Sequence, residues 1–246
     1  MKSDWAALRV AVKRAKNLKI WWRDDDATAP SPALDHLLNL SDRLDLLVHL
    51  AVIPADATTS LARAIDGSSA IPVVHGWKHT NHQTSGKKAE FYSKRAGIED
   101  ELSCGLDRMK RLFPHNLLSM FVPPWNRIGN EVITQLSPLG YGMLSTFGAR
   151  RTPEREGLQI VNTHIDPIDW RGSRNLVDLD QLLAQVIDLL NQRKDGRADP
   201  NEPLGLLTHH LVHSPAIWAF TERFLTEALE AGATPARLTA PIASAD

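Results

Sequence analysis

The chain has 246 residues, 43% hydrophobic and 23% charged, which is enough length and apolar content to bury a sizeable core. Lys and Arg (28) nearly balance Asp and Glu (29), which argues against nucleic acid or an anionic membrane as the main partner. The single cysteine, Cys104, excludes an internal disulfide framework and any zinc cluster built on cysteine. Ten histidines accompany it, so a transition-metal site here has to use imidazole and carboxylate.

No targeting segment is evident. Residues 1–20 lack the unbroken apolar run and small-residue cleavage site of a signal peptide. Nowhere does the chain reach the 18 consecutive apolar residues that indicate a transmembrane helix. We therefore expect one domain over residues 1–246 in the cytoplasm, without a membrane or nucleic-acid partner. The oligomeric state is left open.

Short apolar runs alternate along the chain with segments of helical periodicity. The predicted strands are 18–23, 46–53, 71–75, 117–122, 141–145, 158–162, 204–208 and a last one at 237–239. The first predicted helix begins at Ser31-Pro32, and the others cover 56–65, 98–112, 130–136, 176–191 and 215–229. The polar segment 83–97 has no clear period and is predicted to be an irregular loop. This alternation predicts a parallel barrel or a doubly wound sheet, and both place their chemistry at the C-terminal ends of the strands.

The first two polar clusters follow predicted strands. Asp24, Asp25 and Asp26 end the first strand, and three adjacent carboxylates repel one another unless a cation or proton is shared. Side chains alternate along a strand, so Arg23 and Asp25 should share a face while Asp24 points the other way. His75 and His79 follow a later strand at a spacing that brings both imidazoles to one side of a helical turn, where they can bind one divalent ion.

Three more clusters also follow strands. Segment 121–127 carries two prolines that hold Trp125 in a fixed pose. Segment 166–170 has the pattern D-x-x-D-W, and 207–209 the pattern L-x-H. A carboxylate near a histidine fixes the imidazole tautomer and raises its basicity, which makes the last two clusters natural partners.

These five clusters, in this order, resemble the motif set of the polysaccharide deacetylase family, also called the NodB-homology or carbohydrate esterase 4 type, over roughly residues 18–215. The resemblance implies an α/β fold of the NodB-homology type, a distorted (β/α)7–8 barrel resembling a TIM barrel. It also implies a hydrolase that removes an acetyl group from an N-acetylated amino sugar with the help of a divalent metal, most often Zn²⁺. The substrate it implies is a small molecule or an oligosaccharide.

The resemblance also implies roles for individual residues. Asp25 would be the general base, and Asp26, His75 and His79 the metal ligands. Ala27 fits the small residue that follows the family's pair, although Asp24–Asp25 stays open as the alternative pair. His209 would be the general acid with Asp169 as its orienting partner. Substrate contacts would come from five residues, with a backbone N–H near Trp125 completing an oxyanion site: Pro124, Trp125, Arg127, Trp170 and Leu207.

Four positions depart from the family pattern. Val122 stands where an arginine normally orients the catalytic aspartate, and either Arg23 or Arg127 could replace it. Ala27 stands for a glycine, His210 for an aspartate, and Gly76 for a serine or threonine. The missing arginine motivates a second hypothesis, a non-catalytic carbohydrate-binding barrel. A third is a metal-dependent hydrolase of another C–N bond or of a phosphoester, because several arginines lie near the motifs.

Overall fold

The structure is a computed structural model that describes residues 4–239. Its strands are β1 (Lys19–Ala27), β2 (Val48–Val52), β3 (Ala70–His75), β4 (Met120–Val122), β5 (Met143–Leu144), β6 (Glu154–Arg155), β7 (Leu158–Ile160), β8 (Leu204–Thr208) and β9 (Thr234–Pro235). Its α-helices are α1 (Trp5–Arg14), α2 (Pro32–Leu44), α3 (Thr59–Ile65), α4 (Ile98–Leu112), α5 (Asn130–Leu136), α6 (Leu179–Lys194) and α7 (Pro215–Glu230).

The strands form one sheet in the order β6-β7-β5-β4-β3-β2-β1-β8, and β9 pairs with the start of β1. Every pairing is parallel except β6 with β7 at the edge. The segment between β7 and β8 curls the sheet into a barrel through single parallel bridges, Thr163 to Phe147 and Ile165 to Leu206. The predicted α/β fold, a distorted (β/α) barrel, is thereby confirmed, and the barrel is least regular where these single bridges close it.

The apolar core has two layers. The larger lies between the helices and the outer face of the sheet and includes Trp22, whereas the smaller fills the barrel interior and includes Trp21 and Val122. Trp21 forms the floor of the interior, where its indole N–H donates to the carbonyl of Asn162 at 3.1 Å. A Cβ at Gly205 would lie 2.4 Å from Trp21 Nε1, so only glycine fits on β8 at that level. Above this floor, alternation along β1 directs Arg23 and Asp25 into the barrel mouth.

Most element predictions are confirmed in place, but the two ends of the chain differ. The strand predicted at 237–239 is wrong, because the chain pairs with Lys19 and Ile20 of β1 earlier, at Thr234 and Pro235. Helix α1 was not predicted, although Trp5 and Leu8 have helical spacing and are buried. No helix within residues 4–239 is long and apolar enough to cross a membrane. The single-domain extent of 1–246 stays a prediction.

Candidate active site

The three consecutive aspartates at the end of β1 each have partners of their own, which resolves their mutual repulsion. Asp25 pairs with Arg23, and Asp26 lies against His75 and His79. Asp24 pairs with His210, a residue beyond the end of β8. Because the carboxylates are directed to different partners, β1 remains a strand through Ala27, four residues beyond its predicted end.

Arg23 holds Asp25 through two parallel hydrogen bonds, Nε to Oδ1 at 2.8 Å and Nη2 to Oδ2 at 3.0 Å. Both residues are buried, and the guanidinium also donates to Ser145 Oγ at 2.7 Å and to Asn126 Oδ1 at 2.7 Å. This two-pronged geometry fixes a carboxylate in both position and orientation. Arg23 therefore fixes the Asp25 carboxylate at the mouth of the barrel.

Val122 and Arg127 do not reach Asp25. Val122 is an apolar residue of the barrel interior whose carbonyl accepts from the backbone of Gly76. Arg127 donates instead to the carbonyl of Lys88 at 2.6 Å. Of the two arginines left open by the sequence, the structure places only Arg23 at the carboxylate.

Asp24 lies on the opposite side of β1 from Asp25, as strand alternation predicts. Its carboxylate accepts from Thr208 Oγ1 at 2.6 Å, from the backbone of His210 at 3.0 Å and from His210 Nδ1 at 2.5 Å. Burial alone would raise the pKa of Asp24, but the charge and hydrogen bond of His210 outweigh it and the pKa is lowered. The aspartate that the family has after its catalytic histidine is absent here, and Asp24 supplies a carboxylate next to that position.

Asp26, His75 and His79 form a compact group of metal-ligating side chains. Asp26 Oδ1 lies 3.1 Å from His75 Nε2 and 3.4 Å from His79 Nε2, and the three ligand atoms all lie within 4.8 Å of one another. His75 Nδ1 contacts the carbonyl of Val122 at 3.0 Å, which orients the ring with Nε2 toward the group. Asp26 thus lies against the two histidines, whereas Asp25, which would be the ligand under the alternative pair Asp24–Asp25, is bonded to Arg23.

The electrostatics of this group suit a cation. Burial acts to lower the pKa of His75, but the carboxylates of Asp25 and Asp26 outweigh it and raise the pKa. Burial acts to raise the pKa of Asp26, but the hydrogen bond and charge of His75 lower it. Burial and the nearby His75 lower the pKa of His79. One carboxylate and two imidazoles whose ligand atoms converge are a suitable donor set for a divalent ion.

The backbone is left-handed at several positions of the site. Asp26 has φ 75°, His79 has φ 56° and Trp125 has φ 56°. Non-glycine residues rarely adopt such values, and they cluster where surrounding contacts hold a functional side chain in place. The Trp125 and His79 rings contact each other in a tilted arrangement with centroids 4.3 Å apart, so the rigid proline segment covers one side of the histidine pair.

Glu90, which the sequence did not single out, holds the loop that carries His79. This buried carboxylate accepts from the backbone N–H of Lys78 at 2.8 Å, of Trp77 at 3.2 Å and of Thr80 at 3.4 Å. A Cβ at Gly76, which has φ +59°, would lie 2.3 Å from Glu90 Oε2. The position of Glu90 therefore requires glycine at position 76, because the carboxylate occupies the space that any side chain there would need.

His209 lies beyond β8 with Trp170 and Asp166 close by. The Trp170 and His209 rings meet edge to face with centroids 4.7 Å apart. Burial raises the pKa of Asp166, and the nearby charge of His209 opposes that effect. His209 Nδ1 is buried and has no hydrogen-bond partner within residues 4–239. The charge of His209 acts on Asp166 and on Asp26, so both carboxylates lie near this imidazole.

Asp169, which the resemblance assigns as the partner of His209, has a different position. Its carboxylate accepts from the backbone of Gly172 at 3.0 Å and of Ser173 at 2.8 Å. These bonds lower the pKa of Asp169 and close a turn at the surface. Asp169 therefore makes no hydrogen bond to His209 within residues 4–239, and its role as the orienting residue stays a prediction. Asp166 also accepts within its own loop, from the backbone of Ile168 at 3.0 Å and from Trp170 Nε1 at 2.7 Å.

The remaining predicted substrate contacts divide between two places. Leu207 is buried opposite Arg23 in the β1–β8 register, and Trp170 is partly exposed next to His209, so both lie at the barrel mouth. Pro124 is buried close to Gly76, with Cγ and Cδ 2.6 Å from where a Cβ would be. Arg127 lies apart from them, in a cleft beside the mouth.

The other histidines have structural surroundings. His164 is buried against Glu202, with Nε2 to Oε2 at 3.1 Å. His213 Nε2 accepts from the backbone of His209 at 3.2 Å, and burial lowers the pKa of His213 to about 4. His82 lies near Glu90 and Glu101 in a second group of ligand-type side chains. That group is already satisfied, since Glu90 accepts from the loop backbone and Glu101 pairs with Arg95.

Comparisons with known proteins agree with this architecture. No family model matches the sequence, and no curated protein matches it significantly. Among solved structures, a candidate polysaccharide deacetylase from Mycobacterium smegmatis aligns with TM-score 0.60 and 14% identity over 93% of this chain and 96% of its own. A family 4 carbohydrate esterase from Streptomyces lividans aligns with TM-score 0.55 and 15% identity over 91% and 94%.

A third similar structure is a carbohydrate esterase 4 family pseudoenzyme from Bacillus anthracis, with TM-score 0.55 and 14% identity over 90% of this chain and 64% of its own. These likenesses show that the chain has the fold of the carbohydrate esterase 4, or NodB-type, deacetylases. The family resemblance read from the five motifs is confirmed at that level. At 14–15% identity the fold does not by itself establish the reaction.

Proposed function

We propose that this protein is a metal-dependent hydrolase that removes the acetyl group from an N-acetylated amino sugar. The observation that carries the proposal is the convergence of Asp26, His75 and His79 directly beside a buried Asp25 that Arg23 holds by two bonds. Ligands, a base and an imidazole acid are the groups that amide hydrolysis needs, and all of them lie at the C-terminal mouth of the barrel.

Asp26, His75 and His79 would hold the ion, for which Zn²⁺ is our choice because its usual ligands are imidazole and carboxylate. A divalent ion held there would act as a Lewis acid toward the acyl oxygen and a water molecule. The protein supplies the rest of the chemistry. Asp25 would accept a proton from the attacking water, while Arg23 keeps the carboxylate in place.

His209 would donate a proton to the nitrogen as the C–N bond breaks, so that acetate and a free amine leave. Asp166 would orient the imidazole. Trp170 and Leu207 would enclose the acetyl methyl group, and Trp125 would limit how the sugar enters from the side of His79. These assignments follow the family resemblance, except that Asp166 replaces Asp169.

The test combines metal content with turnover. We expect purified protein to bind about one divalent ion per chain and to release acetate from N-acetylglucosamine oligomers. The double variant His75→Ala, His79→Ala should lose both properties, and Asp25→Asn should keep the ion and lose turnover. His115→Ala, an exposed histidine outside the site, is the matched control. Absence of a bound ion from metal-replete wild-type protein would overturn the proposal.

One alternative has a specific observation in its favour. A similar structure is a pseudoenzyme of this fold, and so the barrel can exist without turnover. A carbohydrate-binding barrel would bind acetylated sugars with unchanged affinity in wild type and Asp25→Asn, and neither protein would release acetate. Phosphomonoesters tested beside the acetamides address the other hydrolase hypothesis. The cytoplasmic location also stays a prediction.

A further inference from the structure

A second cleft lies beside the barrel mouth and is lined by arginine. It has a volume of about 730 Å³, which is in the range of small-molecule sites. Its lining includes Arg127, Arg150, Arg151 and Arg155 and, among residues 4–239, no aspartate or glutamate. In a chain with a formal net charge of -1, four arginines around one cleft are a local concentration of positive charge.

Three of these arginines keep an uncompensated charge within the described part of the chain. Arg127 donates to the carbonyl of Lys88, and Arg155 Nη2 donates to Asn130 Oδ1 at 2.9 Å, so both are held by neutral acceptors. Arg151 is exposed and makes neither an ion pair nor a hydrogen bond with residues 4–239. Among the four, and within residues 4–239, only Arg150 is neutralised, by Asp199 at 2.7 Å. The cleft thus offers cationic side chains that are available to a ligand, two of them held in place by neutral acceptors.

The wall of the cleft is preformed. Asn162 Oδ1 accepts from the backbone of Thr146 at 2.8 Å, and Glu202 Oε2 accepts from the backbone of Arg150 at 3.0 Å. Between these anchors Phe147 is 46% exposed, and Tyr92 across the cleft is 56% exposed. Exposed aromatic rings within a cleft are typical of binding surfaces, because the apolar face of a sugar ring packs well on them.

The cleft lies next to the candidate active site. Asn126 and Thr146 line the cleft, and both accept from the guanidinium of Arg23, at 2.7 Å and 3.4 Å. That same guanidinium holds Asp25. The cleft and the base are therefore separated by the side chains around Arg23, which is a distance that the neighbouring units of a saccharide can span.

We propose that the arginine cleft binds a carboxylate or phosphate group carried by the substrate, so that the substrate class is an anionic N-acetylated saccharide. The proposal rests on the proposed function for the reacting end of the substrate. Arginine suits this task because its planar guanidinium pairs with the oxygens of a carboxylate or phosphate group.

The test measures binding and turnover separately, on the whole 246-residue chain. Three probes are compared by titration calorimetry: neutral N,N′-diacetylchitobiose, N-acetylglucosamine 6-phosphate, and N-acetylmuramic acid, which carries a carboxylate. The last two separate phosphate from carboxylate recognition. The variants are the triple Arg127→Gln, Arg151→Gln, Arg155→Gln, and the exposed single change Arg151→Gln, which leaves buried contacts untouched. The control is an equal loss of charge at exposed arginines elsewhere, Arg14→Gln, Arg63→Gln, Arg111→Gln.

We expect at least one anionic probe to bind wild-type protein about 10-fold or more tightly than the neutral probe, with salt weakening the difference. The triple variant should lose that preference, Arg151→Gln should reduce it, and the control should keep it. Equal binding of neutral and anionic probes, or an unchanged preference in the triple variant, would overturn the proposal.

The His75→Ala, His79→Ala protein separates this proposal from the proposed function. If it keeps the anion preference while no variant or wild type releases acetate, the cleft is an anion site and the proposed function is wrong. If wild type releases acetate from neutral and anionic sugars with equal efficiency, and the triple variant does the same, the function stands and the anionic substrate class is wrong.

Discussion

Glu90 provides the sharpest test of how the candidate metal site is held together. In Glu90→Gln one carboxylate oxygen is replaced by an amide NH₂, which cannot accept a hydrogen bond. Because Trp77 donates to Oε2 and Lys78 and Thr80 donate to Oε1, the one oxygen left can serve one side of this arrangement and not both. Hydrogen bonds to a charged acceptor are worth about 1.5–3 kcal/mol, and an N–H left without a partner costs about 1–3 kcal/mol. The variant should therefore weaken the closed form of the His79 loop by about 2–4 kcal/mol.

A loss of about 2 kcal/mol in the closed loop corresponds to about a 30-fold weaker apparent metal affinity. The assay is competition for Zn²⁺ with a chromophoric chelator, together with the rate of acetate release. Glu99→Gln, an exposed glutamate in the first turn of α4, is the matched control. Gly76→Ala should act in the same direction, since its Cβ would lie 2.3 Å from Glu90 Oε2. Wild-type metal affinity in Glu90→Gln would refute the reasoning.

Three further predictions concern other parts of the barrel. Arg23→Met leaves the charge of Asp25 buried and should destabilise the protein by about 3–5 kcal/mol in urea unfolding, while Arg127→Met should cost under about 1 kcal/mol. Asp166→Asn should lower kcat/KM for acetamide hydrolysis by about 10-fold or more, and Asp169→Asn should change it little; the reverse order would identify Asp169 as the orienting residue. Burial lowers the pKa of His49 from 6.5 to about 4. The unfolded chain therefore binds this proton first, and about 3 kcal/mol of stability should be lost as the pH falls from about 6.5 to about 4. Urea midpoints across that range should fall less steeply in His49→Leu, and an unchanged slope would contradict the assignment.

The sequence predicts the barrel well because its signals are local. Apolar runs such as 46–53 mark the strands, and Ser31 caps α2 by accepting from the backbone of Leu34 at 3.1 Å. Strand alternation correctly predicts that Arg23 and Asp25 share a face. The predicted end of β1 at Arg23 is too early, because aspartates are poor strand formers and their partners come from distant segments.

The sequence could not predict the parts of the site in which one of several similar carboxylates bonds to a loop. Asp166 and Asp169 are equivalent in a D-x-x-D pattern, and only the fold shows that a surface turn uses the second. Glu90 lies in the aperiodic segment 83–97, where one glutamate among polar residues carries no signal of burial. The one indication of Glu90 in the sequence is Gly76, which stands where the family has a serine or threonine, because a side chain at position 76 would occupy the space of the Glu90 carboxylate.

The pair formed by Arg23 and Asp25 has a consequence for how this barrel can change. Both groups belong to β1 and lie two residues apart. Their relative position is therefore set by the alternation of side chains along one strand, and not by how two separate loops pack together. The residue at position 122 is therefore not needed to orient the carboxylate. Segment 122–155 contains much of the arginine cleft, and apart from Asn126, Ser145 and Thr146, which accept from the guanidinium, it can be remodelled for a different substrate while the proposed base stays aligned. A search for relatives that demands arginine at position 122 would pass over proteins built in this way.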